Sequence, residues 1–582
     1  MRGVGADHVE AMIGAAGAAM LLLCLLGPLE LRVATTAVAG LQVSGAELLA
    51  ALTIAVGAAA VIMRSLASGT GLRPLLRPAS VALGLWAAVH LASALWAPAD
   101  RLLVLKFGLR VSSGVALALI ASLLGDVPVF RRRLKLGLLL GLGAMTAIAG
   151  LERLLGQPME NFLRLFRDEP TWMLGEQRLS AVFYHANTFA AYLELTIPFV
   201  LLTLVGATVL GRRVAGWLWL IACGAMLSLT YSRAGLVAGI LGALALLWSA
   251  RRAPPMPALA RTAAIFAAMV ALAYGANPDM RARFGLEERE YRVRYAFFAD
   301  CIGHAGETVR VPMRVSNVGQ WPVSNRQAPG QLAHVVWSGR GLPERSAFHY
   351  RDLPDLEPGD RSELAVSIRL PDEPGLYTTL FDIRRKRVLW IGSAGSPIGR
   401  LRCEARPAHV ALDAPWDPGP GAGAGQDRDI RFQGRPLELS RKHYWQAGLA
   451  LFADHPLGGI GADRFRLAYR EYVPKRAWDE RARAHSIVIE TAANLGLAGL
   501  LALGLLGGVL GFALFDTLRR RQPVDGLRLA AAAAVLSFGL HSTLDYFLGY
   551  TQILLVAWPI IGLLLSPPPN NEAPEPPHVD DA

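Results

Sequence analysis

Residues 494–516 read NLGLAGLLALGLLGGVLGFALFD and contain no charged side chain before Asp516. A helix needs about 20 apolar residues to cross the roughly 30 Å of hydrocarbon in a bilayer, so this stretch predicts a transmembrane helix. Eleven other stretches share its character, near residues 9–30, 42–63, 79–97, 102–123, 136–155, 182–210, 214–231, 234–250, 262–276, 529–546 and 547–566. The sequence therefore predicts an all-α polytopic membrane protein with about 12 transmembrane helices.

The charged residues are distributed unevenly along the chain. Of the 582 residues, 53% are hydrophobic and 18% are charged, whereas soluble domains have about 25% charged residues. Residues 277–484 hold 32 Lys+Arg and 26 Asp+Glu, which is 58 of the 104 charged residues. A polar block interrupts an apolar chain. This pattern excludes a soluble enzyme, a disordered protein and a nucleic-acid binder with a basic face.

The basic residues of the short loops predict the topology. One set of loops, together with Arg2, carries 17 Lys+Arg, and the alternate set carries 7. Basic loops stay on the cytoplasmic side of the membrane. Both termini are therefore expected in the cytoplasm, and residues 277–484 are expected on the opposite face of the membrane. The Pro-rich acidic tail, residues 567–582, predicts a disordered cytoplasmic segment.

Residues 304–406 change from helical to alternating periodicity, with turn signals between short apolar runs, which predicts an all-β sandwich. The residues Asn317, Trp321, Trp337 and Trp390 resemble those of immunoglobulin-like modules attached to some bacterial glycosyltransferases. That resemblance implies an accessory or carbohydrate-facing module, and a spacer that packs on the membrane domain is the alternative. The predicted domains are 1–276 (transmembrane helices 1–9), 277–303 (start of the periplasmic loop), 304–406 (sandwich), 407–437 (Pro/Gly-rich linker), 438–493 (catalytic periplasmic loop), 494–566 (helices 10–12) and 567–582 (tail).

Two of the four cysteines, Cys301 and Cys403, bracket the predicted sandwich. On an oxidising face of the membrane such a pair is a disulfide candidate, and two free thiols are the alternative. Cys24 and Cys223 fall inside predicted spans, where cysteine acts as a small apolar residue.

Several loose motifs occur in a fixed order. The last third of the chain contains Arg441-Lys-His-Tyr-Trp445, then His455-Pro-Leu-Gly-Gly-Ile-Gly with Phe465, then His485 before a span. Two further motifs lie closer to the N-terminus, Arg178-Leu-Ser-Ala-Val-Phe-Tyr-His-Ala-Asn187 and Ser232-Arg233-Ala-Gly. In this order and on this topology, the chain resembles the O-antigen ligase and polymerase family of bacterial envelope glycosyltransferases. Ser486 is a departure, because the family usually has Asn there.

The resemblance implies a GT-C-like enzyme of the bacterial inner membrane. Such an enzyme moves a glycan from undecaprenyl diphosphate to the hydroxyl of an acceptor such as lipid A–core, with inversion and on the periplasmic face. No His/Cys cluster has the spacing of a zinc site, so no metal is expected, and neither a cofactor nor a nucleic-acid partner is expected. A glycan polymerase and a protein O-oligosaccharyltransferase are related alternatives. A polysaccharide or lipid transporter is the alternative of another class.

The chemistry requires a base for the acceptor proton and cations for the diphosphate. His485 matches the family's essential histidine, and imidazole titrates near the working pH. Arg233, at the outer end of a span, is the predicted diphosphate ligand, because arginine holds phosphate oxygens with a planar fork. Arg441 matches a second family arginine, with Arg292 and Arg294 as a rival site.

Three further cations are candidates for the diphosphate site. They are Arg178 and the i,i+4 pair Lys106 and Arg110, which shares one face of the fourth predicted span. Cations in hydrocarbon usually face a cavity, although snorkelling to the membrane surface is the alternative for this pair. His541 and Asp545 are also spaced i,i+4, which predicts a hydrogen-bonded structural pair, with a proton relay as the alternative.

Overall fold

The structure is a computed structural model, which describes residues 4–31, 35–38, 41–71, 73–167, 171–173, 176–205, 209–250, 263–268, 270–272, 275, 291–324, 329–337, 348–385, 389–392, 396–417, 441–473, 480–519 and 525–567. The chain divides into two compact units. The helical unit contains Met1–Thr171, Arg178–Ala276 and Leu439–Ala582, and the β unit contains Trp172–Gln177 and Asn277–Glu438. The predicted tail after residue 567 and most of the predicted linker lie outside the described residues.

The helical unit contains long helices before the β unit and a second set after it. The first set is α1 (Val4–Leu26), α2 (Gly45–Ser68), α3 (Pro78–Trp96), α4 (Arg101–Leu124), α5 (Pro128–Leu155), α6 (Gln157–Leu163), α7 (Ala186–Val205), α8 (Leu210–Leu229) and α9 (Arg233–Ala250). The second set is α10 (Arg441–Asp454), α11 (Phe465–Ala468), α12 (Ile487–Arg519), α13 (Gly526–Leu544) and α14 (Thr551–Leu565). Two short hairpins are also present, β1 (Thr35–Val38) with β2 (Leu41–Ser44), and β3 (Thr171–Met173) with β4 (Glu176–Arg178), of which Trp172–Gln177 belong to the β unit.

The apolar helices confirm a multi-pass membrane protein. Nine of the described helices are long and apolar enough to cross a membrane, by length and composition. Three predicted spans correspond to shorter apolar helices, Arg233–Leu246, Ala263–Leu272 and Thr551–Leu565. The predicted count of 12 therefore remains a prediction.

The last helix forms the centre of the helical unit. Every residue of α14 from Thr551 to Leu564 is buried. Close packing depends on a small residue opposite, because a Cβ added to Gly114 of α4 would lie 2.2 Å from Trp558 Cδ1. The segment between α13 and α14 is thereby fixed at the end of this core, where Asp545 and Tyr550 lie.

The β unit contains two sheets. The strands are β5 (Val293–Phe297), β6 (Cys301–His304), β7 (Thr308–Asn317), β8 (Gly330–Trp337), β9 (His349–Asp352), β10 (Arg361–Arg369), β11 (Gly375–Arg385), β12 (Leu389–Trp390) and β13 (Gly399–Arg406). One sheet has the order β10-β7-β5, and the other has the order β6-β13-β11-β8-β9 with β12 paired to β11. β5 and the first residues of β6 precede the predicted sandwich boundary at residue 304.

Alternating side chains of both sheets form one core. Val311, Met313 and Val315 of β7 are buried with Phe381 and Ile383 of β11. This is the period of two that the sequence predicts for half-buried strands. The immunoglobulin-like assignment remains a prediction.

Cys301 and Cys403 are joined by a disulfide in the β unit. β6 and β13 run parallel with these two cysteines as register partners, and their Cα atoms are 4.5 Å apart. Cys24 and Cys223 are buried free cysteines of the helical unit.

Candidate functional site

The glycines of the His455–Phe465 motif allow a loop to lie against the start of α12. Ile460 donates to the carbonyl of Ala493 at 3.1 Å, and Gly461 donates to that of Asn494 at 2.8 Å. Gly459 has a φ of 67°, and a Cβ added there would lie 2.3 Å from the Asn494 carbonyl carbon. Only glycine combines this backbone conformation with so close an approach. The motif glycines therefore fix the loop that precedes the segment carrying His485.

The turn that carries His485 is fixed by side chains of the helix it begins. Glu490 is fully buried and accepts a hydrogen bond from the Ala484 N–H at 2.8 Å. Ser486 Oγ accepts from the Ile489 N–H at 3.5 Å, so the serine that replaces the family's usual Asn caps α12. His485 itself has a φ of 52°. A non-glycine residue with positive φ persists only where its surroundings hold it, and such residues cluster at functional sites.

His485 is one end of a polar chain that joins four side chains from distant parts of the sequence. Its Nδ1 donates to Asp545 Oδ1 at 3.1 Å. Asp545 Oδ2 accepts from Asn187 Nδ2 at 2.7 Å, and Asn187 Oδ1 accepts from Arg178 Nη2 at 2.5 Å. The side chain of His485 is 34% exposed, whereas that of Asp545 is 10% exposed. The imidazole is therefore accessible while its carboxylate partner is enclosed.

The predicted pairing of His541 with Asp545 is wrong. His541 Nδ1 contacts Glu194 Oε1 at 2.8 Å, and both side chains are completely buried. Helix α13 ends at Leu544, so the backbone at Asp545 is extended, with a φ of −150°. The i,i+4 geometry therefore ends before Asp545, whose carboxylate contacts His485.

A buried cluster of charges precedes His485 and was not singled out from the sequence. Arg483 forms an ion pair with Asp463, and its Nη1 lies 3.4 Å from Glu490 Oε1. Arg466 Nε donates to the second Asp463 oxygen at 3.0 Å. Burial raises the pKa of Asp463, but the charges of Arg483 and Arg466 outweigh it and hold the pKa below its usual value. Asp463 is therefore an ionised carboxylate that holds two arginines in place.

These arginines line a cavity of about 470 Å³ in the helical unit. Its polar lining residues are Glu30, Ser44, Lys106, Arg110, Asp463, Arg466, Glu480, Arg481, Arg483, Thr551 and Gln552. Tyr184 and Tyr550 also line it, with ring centroids 6.4 Å apart. Arg110 contacts Glu47 Oε1 at 3.0 Å. Five cationic side chains thus line the same cavity. His485 lies two positions after one of them, Arg483, in the sequence.

The structure places the remaining predicted arginines differently. Arg178 is 3% exposed and its Nε donates to the Thr230 carbonyl at 2.7 Å, so it is enclosed between two structural partners. Arg233 is exposed and begins α9, three residues after Thr230. Arg441 is exposed and begins α10, and its charge acts on His541.

The rival segment at Arg292 and Arg294 belongs to the β unit. Arg294 lies in strand β5, and Arg292 directly precedes that strand. The segment that resembles it, around Arg441, is helical. The two segments are therefore similar in sequence but differ in secondary structure.

Comparison with known proteins finds a family similarity in one segment of the chain. Residues 388–504 match the family model described as O-antigen ligase, a segment that contains Arg441, the glycine motif and His485. No curated protein matches the chain. Among solved structures, the alkylpurine DNA glycosylase AlkC of Pseudomonas fluorescens bound to DNA containing an abasic site analog is 12% identical, covering 56% of this chain and 97% of that chain with a TM-score of 0.14. The chain is thus a multi-pass membrane protein that is similar, over residues 388–504, to the O-antigen ligase family.

Proposed function

We propose that this protein transfers a glycan from undecaprenyl diphosphate to an acceptor hydroxyl on the periplasmic face of the bacterial inner membrane. The observation that carries the proposal is the His485–Asp545 pair, because the half-exposed histidine of the segment that matches the O-antigen ligase family has an enclosed carboxylate partner from beyond that segment. The cation-lined cavity supplies the second requirement of the reaction, a site for a diphosphate.

The hydrogen bond to Asp545 sets the tautomer of His485. A carboxylate accepts the Nδ1–H, so the lone pair of the neutral ring is on Nε2. Among the described residues, Nε2 has no hydrogen-bond partner. It is therefore the atom that takes the acceptor proton. Asp545 stabilises the imidazolium that results, and Asn187 and Arg178 hold Asp545 in position.

The proposed reaction is a single displacement. The acceptor oxygen attacks the anomeric carbon as its proton passes to His485 Nε2. The bond from the anomeric carbon to the diphosphate oxygen breaks, and its electron pair leaves with undecaprenyl diphosphate. Attack from the side opposite to the leaving group inverts the anomeric centre.

The negative charge that develops on the diphosphate requires cations that are already in place. Lys106, Arg110, Arg466, Arg481 and Arg483 line the cavity, and Arg233 and Arg441 are proposed to reach the same group. Preorganised cations in a site with little water stabilise such charge without reorganising during the reaction. In this account Arg178 positions Asn187, since it is 3% exposed and its Nη2 donates to Asn187 Oδ1.

A gene deletion tests the function. Envelope glycolipids are separated on a gel from the deletion strain complemented with wild-type protein, with His485→Ala or with His409→Ala, an exposed histidine of the β unit. For a ligase, the deletion and the His485→Ala strain accumulate full-length polymer on the lipid carrier and bare acceptor lipid, and the His409→Ala strain resembles wild type. Acceptor that carries a single repeat unit would instead indicate a polymerase. Full complementation by His485→Ala would contradict the proposed base.

A further inference from the structure

The β unit contains a cavity that the proposed transfer reaction does not use. Its volume is about 680 Å³, within the range of small-molecule sites. It lies beside strand β5 and the segment that leads into β13, and its lining includes Arg292, Arg294, Arg400, Tyr295 and Phe297. Three of the ten lining residues are arginines, and none of those ten residues is acidic.

The two arginines beside the cavity follow from the strand period. Arg292 and Arg294 alternate with Val293 and Tyr295, so the arginines lie on the exposed face while Val293 is buried in the core. Gly399 faces the ring of Tyr295, where a Cβ would lie 2.9 Å from Tyr295 Cγ. The ring of Tyr295 packs against the core on the same face as Val293, whereas the two guanidinium groups lie on the opposite, exposed face of the edge strand.

Strand β5 also has backbone groups that point away from its sheet. β5 is the last strand of its sheet, and it bonds to β7 through its even-numbered residues, since Arg292 accepts from Val318 and Phe298 donates to Pro312. The N–H and C=O groups of the odd-numbered residues point away from β7. Ser396 Oγ accepts from the Val293 N–H at 2.8 Å, and among the described residues the outward backbone groups of Tyr295 and Phe297 have no such partner.

We infer that this cavity binds an acidic saccharide. Guanidinium groups pair with carboxylates of uronic acids, and edge backbone groups bond with sugar hydroxyls. An acidic peptide that adds a strand is the competing ligand, but it requires a longer unpaired edge than the two residues left here. The cavity lies in the β unit, and saccharide binding there does not require His485. The protein would therefore bind a glycan at this site in addition to transferring one.

Calorimetry on the full-length protein in phosphatidylcholine nanodiscs tests the site. The probes are tetragalacturonate, the neutral sugar maltotetraose and a tetra-aspartate peptide. We expect binding of tetragalacturonate that weakens with salt, and no measurable binding of the other two. Because the Arg292→Ala/Arg294→Ala variant loses two charge-assisted contacts, its affinity falls by about tenfold or more.

The matched control is Arg310→Ala/Arg369→Ala, which removes two exposed arginines of the same unit that do not line the cavity. It retains wild-type affinity, and equal melting temperatures of all variants exclude unfolding. His485→Ala also retains binding, so failure of the transfer mechanism and failure of this site give different results. Unchanged affinity of Arg292→Ala/Arg294→Ala, equal binding of maltotetraose, or preference for the peptide would overturn the inference.

Discussion

In the helical unit, Asp463 lies between Arg483 and Arg466, whereas in the β unit Asp382 accepts hydrogen bonds from the backbone N–H groups of Ile383 and Gly392. The two carboxyl groups are similarly hidden, with exposures of 6% and 0%. Their pKa values nevertheless move in opposite directions. That of Asp463 is lowered by its arginines, and that of Asp382 is raised by burial to about 7.

The pKa values differ because Asp463 has arginine neighbours, whereas the main influences on Asp382 are burial and backbone hydrogen bonds. Burial alone disfavours the charged form, and only a nearby opposite charge reverses the effect. Around the cavity of the helical unit, ionised groups are held in fixed positions, which is the condition for stabilising a diphosphate as it leaves. In the β unit, Asp382 has no described cationic partner and accepts from the N–H of Gly392, which follows β12.

The largest effect is expected for Asp463→Asn. The substitution leaves Arg466 and Arg483 without their shared carboxylate, and breaking a buried ion pair costs about 3–5 kcal/mol of unfolding free energy. Because the folded-state pKa of Asp463 is lowered, its contribution is present above about pH 4 and is lost as the pH falls further. Thermal unfolding at pH 7 and pH 3 checks this, with the difference between variant and wild type larger at pH 7.

The exposed residue Asp372 provides the control for this comparison, because its side chain is 86% exposed and Arg369 is 3.9 Å away. We expect Asp372→Asn to change stability by less than about 1 kcal/mol. If Asp463→Asn lost no more unfolding free energy than Asp372→Asn, the ion pairs of Asp463 with the two arginines would not stabilise the fold.

An intermediate effect is expected for Asp545→Asn. The amide retains the size of the side chain but no longer stabilises the imidazolium of His485, so the transfer rate falls by at least about tenfold. The kinetic signature is a lower kcat with little change in KM, since Asp545 acts on the transition state. Asp7→Asn, at an exposed position of α1, serves as the control. A raised KM with unchanged kcat would instead indicate a substrate-binding role for Asp545.

The smallest effect is expected for Asp382→Asn. Because the folded-state pKa of Asp382 is raised to about 7, the protonated acid is favoured in the folded β unit. Its stabilising contribution is present below about pH 4 and is lost as the pH rises to about 7. Calorimetry should show the wild-type β unit melting a few °C higher, on the order of 1 kcal/mol, at pH 5 than at pH 8. In the variant this dependence should disappear, and its persistence would assign the titration to another group.

Hydropathy and periodicity predict most of the architecture. Apolar stretches locate the candidate spans because a bilayer demands about 20 apolar residues. Alternating residues locate strands such as β7, since the side chains of a strand point to opposite faces. Local motifs also identify His485 and the cavity residues Lys106 and Arg110.

The contacts that these residues make could not be predicted from the sequence. Asn187 and Asp545 are 358 positions apart, and their hydrogen bond depends on the packing of α7 against α13. The i,i+4 rule failed for His541 and Asp545 because the helix ends between them, one residue before Asp545. Arg483 and Asp463 carry no local signal, because alternating charges in a polar loop are typical of a solvated surface.

Chemical rescue tests the central claim most directly, that His485 is the base. Transfer is measured in proteoliposomes that contain purified donor and acceptor lipids, for wild type, His485→Ala and Arg483→Ala, with and without added imidazole. The account predicts that His485→Ala lowers the rate by about 10²- to 10⁴-fold, and that imidazole restores part of the rate of His485→Ala but none of the rate of Arg483→Ala. A His485→Ala enzyme with nearly wild-type rate at saturating substrate would contradict the account.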